Sequence, residues 1–566
     1  MKRKAFKWLA GLLAFAALLP CLPIIAAAEE ATVERWRMHE ITFTSEADYA
    51  DPFSDAQLDV VFTGPGGVEM VMPGFWDGGG IWRVRFAPTQ AGPWQYETRC
   101  SNEADAGLHG LRGAFTCVPY TGELEIYRRG FLKTEPGARC MMYADGTPFF
   151  YLGDTHWSMP SEPFDEMFTT VVDTRAAQGF AVYQSEPLGA GYNLDDGFSE
   201  ADLPGFADLD RRFAYIADAG LVHANAQLIF GSLLFHGVQG GQYTEEYIQK
   251  LSRCWVARYA AYPVLWTTAQ EVDDDMYYDR DGVGGQAIYP ADQNPWRVVA
   301  ETIGQCDPYR QPLSAHQEYA SMDALHGMNA SKSTFKNLDA HSWFAAQWSP
   351  KLDGSPDFAL TKDYWLNGDG KPVINYEGRY ENLWTKNFGA RAQGWIAFLN
   401  GMFGYGYGAV DMWLYRSTYD IDTTSGDGVD TITPADKAVP WTQSLYFETA
   451  AQLGHMRKFF ESMNWWELTP RFNSWKYFIP FPGAYYSVAS SDDACAAYFY
   501  NRTRLTGLLR GLNRAQYTAE WFNPRSGETV GIGLVRPCLG MYLIPRKPDA
   551  QDWVLYLYLG EQGEQP

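Results

Sequence analysis

The chain lacks the spacings that mark metal and nucleotide sites. Its nine histidines include no His-x-x-x-His or Glu-x-x-His, and its eight cysteines include no Cys-x-x-Cys. Zinc ribbons and helical zinc sites need ligands at such spacings. Neither a Gly-x-Gly-x-x-Gly loop nor a Walker-type loop occurs, which argues against a nucleotide-binding sheet. We therefore expect no metal and no cofactor.

Positive charge is also scarce. Lys and Arg number 45 against 68 Asp and Glu, giving a formal net charge of −23. This balance argues against nucleic acid as a partner and favours neutral or cationic ligands. Hydrophobic residues make up 46% of the 566 residues, so a folded protein of two to four domains is expected.

Past the N-terminus, no apolar run reaches the ~18 residues that a membrane helix needs. Residues 1–28 themselves resemble a secretory signal peptide, with Lys2, Arg3, Lys4 and Lys7 before an apolar stretch and cleavage near Ala28. An uncleaved membrane anchor is the alternative. We expect a secreted or extracytoplasmic protein without a membrane segment after cleavage.

Seven cysteines remain after the predicted signal peptide, an odd number for an exported protein. Cys100 and Cys117 lie in what we interpret as adjacent strands and could form a disulfide. Scattered buried thiols are the alternative.

Three domains are predicted after the signal peptide. Residues 29–120 contain short strands with turn signals about every ten residues, typical of an antiparallel β-sandwich. Residues 121–463 alternate strand-like and helical patterns, and residues 464–566 are strand-like again, predicting a second β-sandwich. The N-terminal and C-terminal parts would thus flank one α/β domain.

The middle region predicts a (β/α)₈ barrel, also called a TIM barrel. A doubly wound open sheet is the rival, although no phosphate-binding loop supports it. The eight candidate strands are Phe149–Gly153, Ala181–Ser185, Val222–Ile229, Val264–Thr268, Pro312–His316, Asp339–Trp343, Val373–Tyr376 and Phe403–Val410.

Two glutamates follow strand-like runs at predicted strands 4 and 7. Glu271 follows the run that begins at Pro263, and Glu377 follows the run that begins at Pro372. The carboxyl ends of barrel strands share one face, so these side chains should meet across the barrel mouth. A pair of carboxylates is the minimum equipment for cleaving a glycosidic bond. A surface carboxylate or salt-bridge partner is the alternative for each.

Other polar and aromatic residues at predicted strand ends are candidates for substrate binding. Glu186 is also a rival catalytic carboxylate. A structural role in a packed turn is as plausible for His156. The candidates are Asp154, His156, Trp157, Glu186, Gln270, His316, His341, Trp343, Asp411 and Trp413.

Several motifs resemble the apiosidase-like (β/α)₈ glycoside hydrolases. They include Phe150-Tyr151-Leu152-Gly153-Asp154-Thr155-His156-Trp157, Val373-Ile374-Asn375-Tyr376-Glu377 and Gly401-Met402-Phe403-Gly404-Tyr405-Gly406-Tyr407-Gly408. Trp36–Ile41 with Gly74–Gly78, and Trp521–Gly527, resemble the β-sandwich domains before and after such barrels. The resemblance covers nearly all of the chain after the signal peptide.

The resemblance implies a retaining mechanism with Glu271 as acid/base and Glu377 as nucleophile. Family members that cleave apiosides carry Asp at the position of Glu271, and Gln270 stands where related barrels have Asn. The implied function is therefore an exported glycoside hydrolase acting on a plant or microbial polysaccharide, with its sugar unspecified. A non-catalytic carbohydrate-binding or adhesion protein on a degenerate barrel is the competing hypothesis.

Overall fold

The computed structural model describes most of the chain. The described residues are 31–159, 165–186, 197–225, 241, 243–268, 296–319, 338–350, 358–382, 389–413, 439–500 and 502–560. The predicted signal peptide and the predicted site residues Gln270 and Glu271 lie outside them. Within these ranges, no helix has the length and apolar character needed to cross a membrane.

The N-terminal region contains two packed sheets. One has the strand order β1-β8-β7-β3-β4 and the other β2-β6-β5. The rings of Phe62 and Phe86, one from each sheet, stack with centroids 3.9 Å apart. The elements are β1 (Thr32–Glu34), β2 (His39–Thr44), α1 (Pro52–Asp55), β3 (Leu58–Thr63), β4 (Glu69–Pro73), β5 (Phe75–Trp76), β6 (Ile81–Phe86), β7 (Gly92–Cys100) and β8 (Arg112–Val118).

These sheets correct two details of the prediction. Pairing is antiparallel except that β1 runs parallel to β8. Cys117 lies opposite Gly92, which is eight positions along β7 from Cys100. Eight residues of strand span roughly 25 Å, so Cys100 and Cys117 cannot form a disulfide. Both are free, buried thiols.

The middle region contains an eight-stranded sheet in which all neighbouring strands are parallel. Its order is β14-β13-β12-β11-β18-β17-β16-β15. After α2 (Glu125–Arg129), β9 (Leu132–Lys133) and β10 (Met142–Tyr143), its elements are β11 (Tyr151–Ser158), α3 (Asp165–Ala177), β12 (Val182–Glu186), α4 (Leu203–Asp218), β13 (Val222–Asn225), α5 (Glu245–Tyr259), β14 (Val264–Trp266), α6 (Trp296–Cys306), β15 (His316–Tyr319), β16 (Phe344–Gln347), α7 (Ala359–Asn367), β17 (Val373–Glu377), α8 (Ala390–Leu399) and β18 (Gly404–Tyr407).

Local sequence explains where these units begin and end. Every residue of β12 and β17 is buried, as expected for parallel strands covered on both faces. Helix α3 stops before Gly179, which adopts a φ of +88° that other residues rarely adopt. The Thr244 side chain caps α5 by accepting a hydrogen bond from the Tyr247 backbone N–H.

Seven of the eight predicted strands overlap an observed strand, whereas the predicted strand Asp339–Trp343 ends just before β16 begins. Strand β11 extends to Ser158, so Asp154, His156 and Trp157 lie within the strand rather than after it. Strand β16 begins at Phe344, so His341 and Trp343 precede the strand instead of ending it. A strand buried on both faces shows no polar alternation, and its sequence therefore gives no sharp end signal.

The outermost strands of this sheet, β14 and β15, come close through Leu313. This residue lies three positions before β15 and forms parallel bridges with Trp266 of β14 and with His341. The chain before β15 thus lies next to both β14 and the segment before β16.

The C-terminal region again contains two sheets. Their orders are β19-β21-β22-β27-β24-β25 and β20-β23-β26, with antiparallel pairing throughout. The elements are α9 (Val410–Trp413), α10 (Trp441–Ser444), α11 (Glu448–Glu461), β19 (Thr469–Pro470), β20 (Phe478–Pro480), β21 (Tyr486–Ser490), β22 (Ala494–Phe499), β23 (Gly507–Arg510), β24 (Tyr517–Phe522), β25 (Thr529–Val535), β26 (Met541–Leu543) and β27 (Trp553–Tyr558).

Both flanking regions pack directly on the middle region. Asp210 of α4 accepts from Arg85 of β6 at 2.6 Å and from Arg258 of α5 at 2.8 Å. At the other end, Trp395 of α8 stacks on Tyr498 of β22 with ring centroids 5.6 Å apart. Buried contacts therefore connect all three parts of the chain.

Candidate active site

Glu377 is the last residue of β17 and is only 7% exposed. The Tyr380 hydroxyl, three residues later, donates a hydrogen bond to its Oε1 at 2.5 Å. Trp157 Nε1 donates to the Tyr380 oxygen at 2.6 Å. This order leaves the single phenolic proton of Tyr380 for Glu377, so an indole, a phenol and a carboxylate form one directed chain.

His316 lies next to the other carboxylate oxygen of Glu377. Its Nε2 is 3.3 Å from Glu377 Oε2. Burial lowers the pKa of His316 to about 3, so the imidazole is neutral near pH 7. The pair is therefore not a permanent salt bridge.

Burial also raises the pKa of Glu377 to about 7, and the nearby donors Tyr380, Trp157 and Gln347 oppose this rise. The ionised form is poorly solvated in this pocket, but Tyr380 donates to it directly. Glu377 is therefore poised to change charge near neutral pH, which is typical of active-site carboxyl groups.

An aromatic cluster surrounds Glu377. The ring of Trp157 is stacked 5.4 Å from His316 and lies 5.6 Å from Tyr376, while His316 and Tyr376 are 5.1 Å apart. The charge of Glu186, the last residue of β12, also raises the pKa of the Tyr376 hydroxyl, after the larger effect of burial. Residues from four strands, β11, β12, β15 and β17, thus meet at one edge of the sheet.

Gln184 supports this edge from inside the sheet. Its Oε1 accepts from the Tyr151 hydroxyl at 2.9 Å, and its Nε2 donates to Thr155 Oγ1 at 3.1 Å and to the Tyr376 carbonyl at 2.9 Å. Gly406 leaves room for this network, because a Cβ there would lie 2.1 Å from the same carbonyl. The backbone just before Glu377 is therefore held by a buried side chain of a different strand.

The structure separates Asp154 and His156 from Glu377. Side chains alternate along a strand, and while Thr155 bonds Gln184, Asp154 binds Arg175 of the covering helix α3. His156 Nε2 lies 2.8 Å from Asp154 Oδ2, and its ring stacks on Tyr183. These two residues connect helix α3 to β11, on the opposite face of the strand from Trp157. Their predicted role in sugar binding stays a prediction.

His341 and Trp343 also lie elsewhere than expected. His341 is on the amino-terminal side of β16, where Lys371 Nζ lies 3.4 Å from its Nδ1. Trp343 is fully buried, with its ring 6.3 Å from Tyr151 and 5.9 Å from Tyr376. Both predictions depended on a strand 6 that ended at Trp343, and the shifted strand makes Trp343 a core residue.

Asp411 is a buried residue of α9 that connects two other segments of the chain through hydrogen bonds. Its Oδ2 accepts from Asn382 Nδ2 at 2.7 Å, and its Oδ1 accepts from the Val439 backbone N–H at 3.2 Å. The Trp413 side chain lies outside the described part of the structure, as do Gln270 and Glu271. The predicted roles of these three residues stay predictions.

Sequence reasoning missed Tyr376, Tyr380 and Gln184. Tyr380 lies three residues after the end of β17 in irregular chain, where no periodicity predicts the direction of its side chain. Gln184 is a polar residue inside a buried strand. A buried polar side chain needs hydrogen-bond partners, so its position in an apolar run was the signal that could have identified it. Among the described residues, no three His, Cys, Asp or Glu side chains are grouped so as to hold a metal ion.

The fold matches solved glycoside hydrolases at low identity. One is a "putative glycoside hydrolase" from Bacteroides vulgatus, with a TM-score of 0.66 and 18% identity over 94% of this chain and 100% of that one. Another is a glycoside hydrolase of family 5, also from Bacteroides vulgatus. It has a TM-score of 0.59 and 16% identity over 77% of this chain and 95% of that one. No curated protein matches the chain.

The model described as "Apiosidase-like, catalytic domain" matches residues 135–467, over half of the chain, and the protein is therefore a glycoside hydrolase. More narrowly, the chain belongs to this apiosidase-like family. The resemblance seen in the sequence is thereby confirmed. Residues 32–101 match a domain of unknown function, and residues 483–558 match a "putative collagen-binding domain of a collagenase".

Proposed function

We propose that the protein is an exported retaining glycosidase that cleaves a plant or microbial polysaccharide, with Glu377 as nucleophile and Glu271 as acid/base. The observation that carries the proposal is the setting of Glu377 at the end of β17. Two donors in series and a neutral histidine fix its carboxyl group inside an aromatic cluster.

The same proposal includes a closed (β/α)₈ barrel. Closure requires the outermost strands β14 and β15 to become neighbours. The parallel bridge between Trp266 and Leu313 supports this arrangement. A closed barrel would gather the carboxyl ends of strands 4 and 7 on one face, where Glu271 and Glu377 are needed.

In the first step, a carboxylate oxygen of Glu377 attacks the anomeric carbon while the bond to the leaving oxygen breaks. Glu271 gives its proton to that oxygen. Oε1 already accepts from Tyr380, so Oε2 is the better placed nucleophilic atom. In the second step, Glu271 takes a proton from water, the water oxygen attacks the anomeric carbon, and the bond to Glu377 breaks.

The nucleophile must be ionised, although burial raises its pKa to about 7 in the free protein. The Tyr380 hydrogen bond strengthens as the carboxylate becomes charged and opposes that cost. The proposal therefore expects activity to rise with pH through the pKa of Glu377. It also expects the two carboxyl groups to lie ~5–5.5 Å apart, as in retaining enzymes.

Hydrolysis of a panel of aryl glycosides and polysaccharides by the full chain and by Glu271→Ala and Glu377→Ala tests the proposal. Both substitutions should reduce cleavage by at least about 10³-fold. Asp218→Asn, on the surface of α4, is the control and should keep full activity. Cleavage that survives both glutamate substitutions would show that the site is elsewhere, and sugar binding without any cleavage would favour a degenerate barrel.

A further inference from the structure

The C-terminal sheets differ in charge from the rest of the chain. Residues 468–560 carry ten Lys and Arg against six Asp and Glu, while the whole chain carries 45 against 68. An excess of positive charge in one region of an acidic protein is informative, because it concentrates attraction for anions on one surface.

Part of that charge surrounds an apolar sheet face. Ile479, Leu508 and Leu543 lie directly opposite one another across β20, β23 and β26. Ile479 is 37% exposed and Leu543 is 62% exposed. Exposed rows of this kind mark interaction sites when they are contiguous and surrounded by polar residues.

Basic residues lie on both sides of this row, along the direction of the strands. On one side are Lys476 and Arg510; the Arg510 backbone N–H donates to the Tyr477 carbonyl, and Arg510 Nη1 donates to the Trp475 carbonyl at 3.0 Å. On the other side, Arg504 precedes β23 and Arg546 follows β26, and both are exposed. We call this surface the basic face, defined by Trp475, Lys476, Ile479, Arg504, Leu508, Arg510, Leu543 and Arg546.

Within the part of the chain that the structure describes, the cations of the basic face form no salt bridges with carboxylates. Among the described residues, the salt bridges made by cations of the C-terminal sheets pair Arg514 with Asp493 and Arg525 with Asp549 and Asp552. Trp475 is 73% exposed and lies next to Arg510, which donates to its carbonyl. Exposed apolar and aromatic side chains with cations on both sides fit a ligand that has apolar ring faces and regular negative charges.

We propose that the basic face binds a polysaccharide chain bearing carboxylate groups, with Trp475 against a sugar ring and Lys476, Arg504, Arg510 and Arg546 on the carboxylates. The proposal rests on the proposed function only in that the protein encounters polysaccharides. The site lies in the C-terminal sheets and does not depend on which bond Glu377 attacks.

Native gel electrophoresis of the full-length protein in gels containing polygalacturonate tests the proposal. The protein should be retarded there and not in gels containing neutral dextran. The double variant Lys476→Gln/Arg510→Gln and the variant Trp475→Ala should each bind at least about fivefold more weakly. Arg536→Gln, exposed beyond the end of β25 in the other sheet, is the matched control and should bind normally.

Raising the salt concentration tests the unmodified protein without any risk of misfolding. Binding to polygalacturonate should fall steeply between 50 and 500 mM NaCl, since ion contacts are screened. Absence of retardation, equal retardation by dextran, binding only to anionic lipid vesicles, or an equal loss in Arg536→Gln would each overturn the proposal. None of these results depends on hydrolysis, so failure here leaves the Glu377 assignment untouched, and the converse also holds.

Discussion

Tyr380 donates its hydroxyl proton to Oε1 of Glu377 at 2.5 Å, and Trp157 donates to the same hydroxyl group from behind. A donor that faces a carboxylate lowers its pKa, so Tyr380 opposes the effect of burial on Glu377. This relationship connects the protonation of the proposed nucleophile to a residue outside its strand.

Tyr380→Phe should therefore move the acid side of the pH–activity profile upward by about one unit. At pH 6, kcat/KM should fall about tenfold to a hundredfold, the range expected for a hydrogen bond to a charged group. Tyr407→Phe is the matched control, because Tyr407 donates to Glu381 rather than to Glu377. An unchanged profile in Tyr380→Phe would refute the role given to this hydrogen bond.

Glu377→Gln should stabilise the protein at alkaline pH. Burial holds the folded-state pKa of Glu377 at about 7, above its usual 4.5, so the folded state binds this proton more tightly than the unfolded state. The contribution of the protonated carboxyl group is complete below pH 4.5 and is lost as the pH rises through 7.

The glutamine cannot ionise and avoids this loss. Urea unfolding at pH 8 should show Glu377→Gln more stable by about 2–3 kcal/mol, with little difference at pH 4.5. The exposed substitution Glu467→Gln should give no such pH dependence. Equal stability of Glu377→Gln and the unmodified protein at pH 8 would mean that burial does not raise the pKa of Glu377.

Gly406→Ala should destabilise the sheet. Its Cβ would lie 2.1 Å from the Tyr376 carbonyl and 2.5 Å from Gln184 Oε1, so the network behind Glu377 would have to move. We expect a loss of about 2–3 kcal/mol in urea unfolding. At Gly531 a Cβ meets nothing within 4 Å, and Gly531→Ala should stay within about 0.5 kcal/mol.

Asp210→Asn should loosen the N-terminal sheets from the middle region. Burial alone would raise the pKa of Asp210, but Arg85 and Arg258 lower it, so the carboxylate is ionised between two buried guanidinium groups. Removing its charge should cost about 3–5 kcal/mol in thermal or urea unfolding. Asp218→Asn, which breaks an exposed pair with Arg37, should cost less than about 1 kcal/mol, and equal effects would contradict this account.

Sequence patterns predicted seven of the eight parallel strands and the position of Glu377 at a strand end, because apolar runs follow local rules. The same patterns could not show that Asp154 and His156 face helix α3 while Trp157 faces the site, because alternation along β11 separates neighbouring residues. Tyr380 and Gln184 could not be found in this way. Their roles depend on contacts between strands that only the folded chain brings together.

The most direct test of the central claim is rescue of Glu377→Gly by azide. The variant should be inactive on an activated aryl glycoside, and azide should restore cleavage by occupying the space of the missing carboxylate. The product should be a glycosyl azide with the opposite anomeric configuration to the substrate. Full activity without azide, or a rescued product with retained configuration, would contradict Glu377 as the nucleophile.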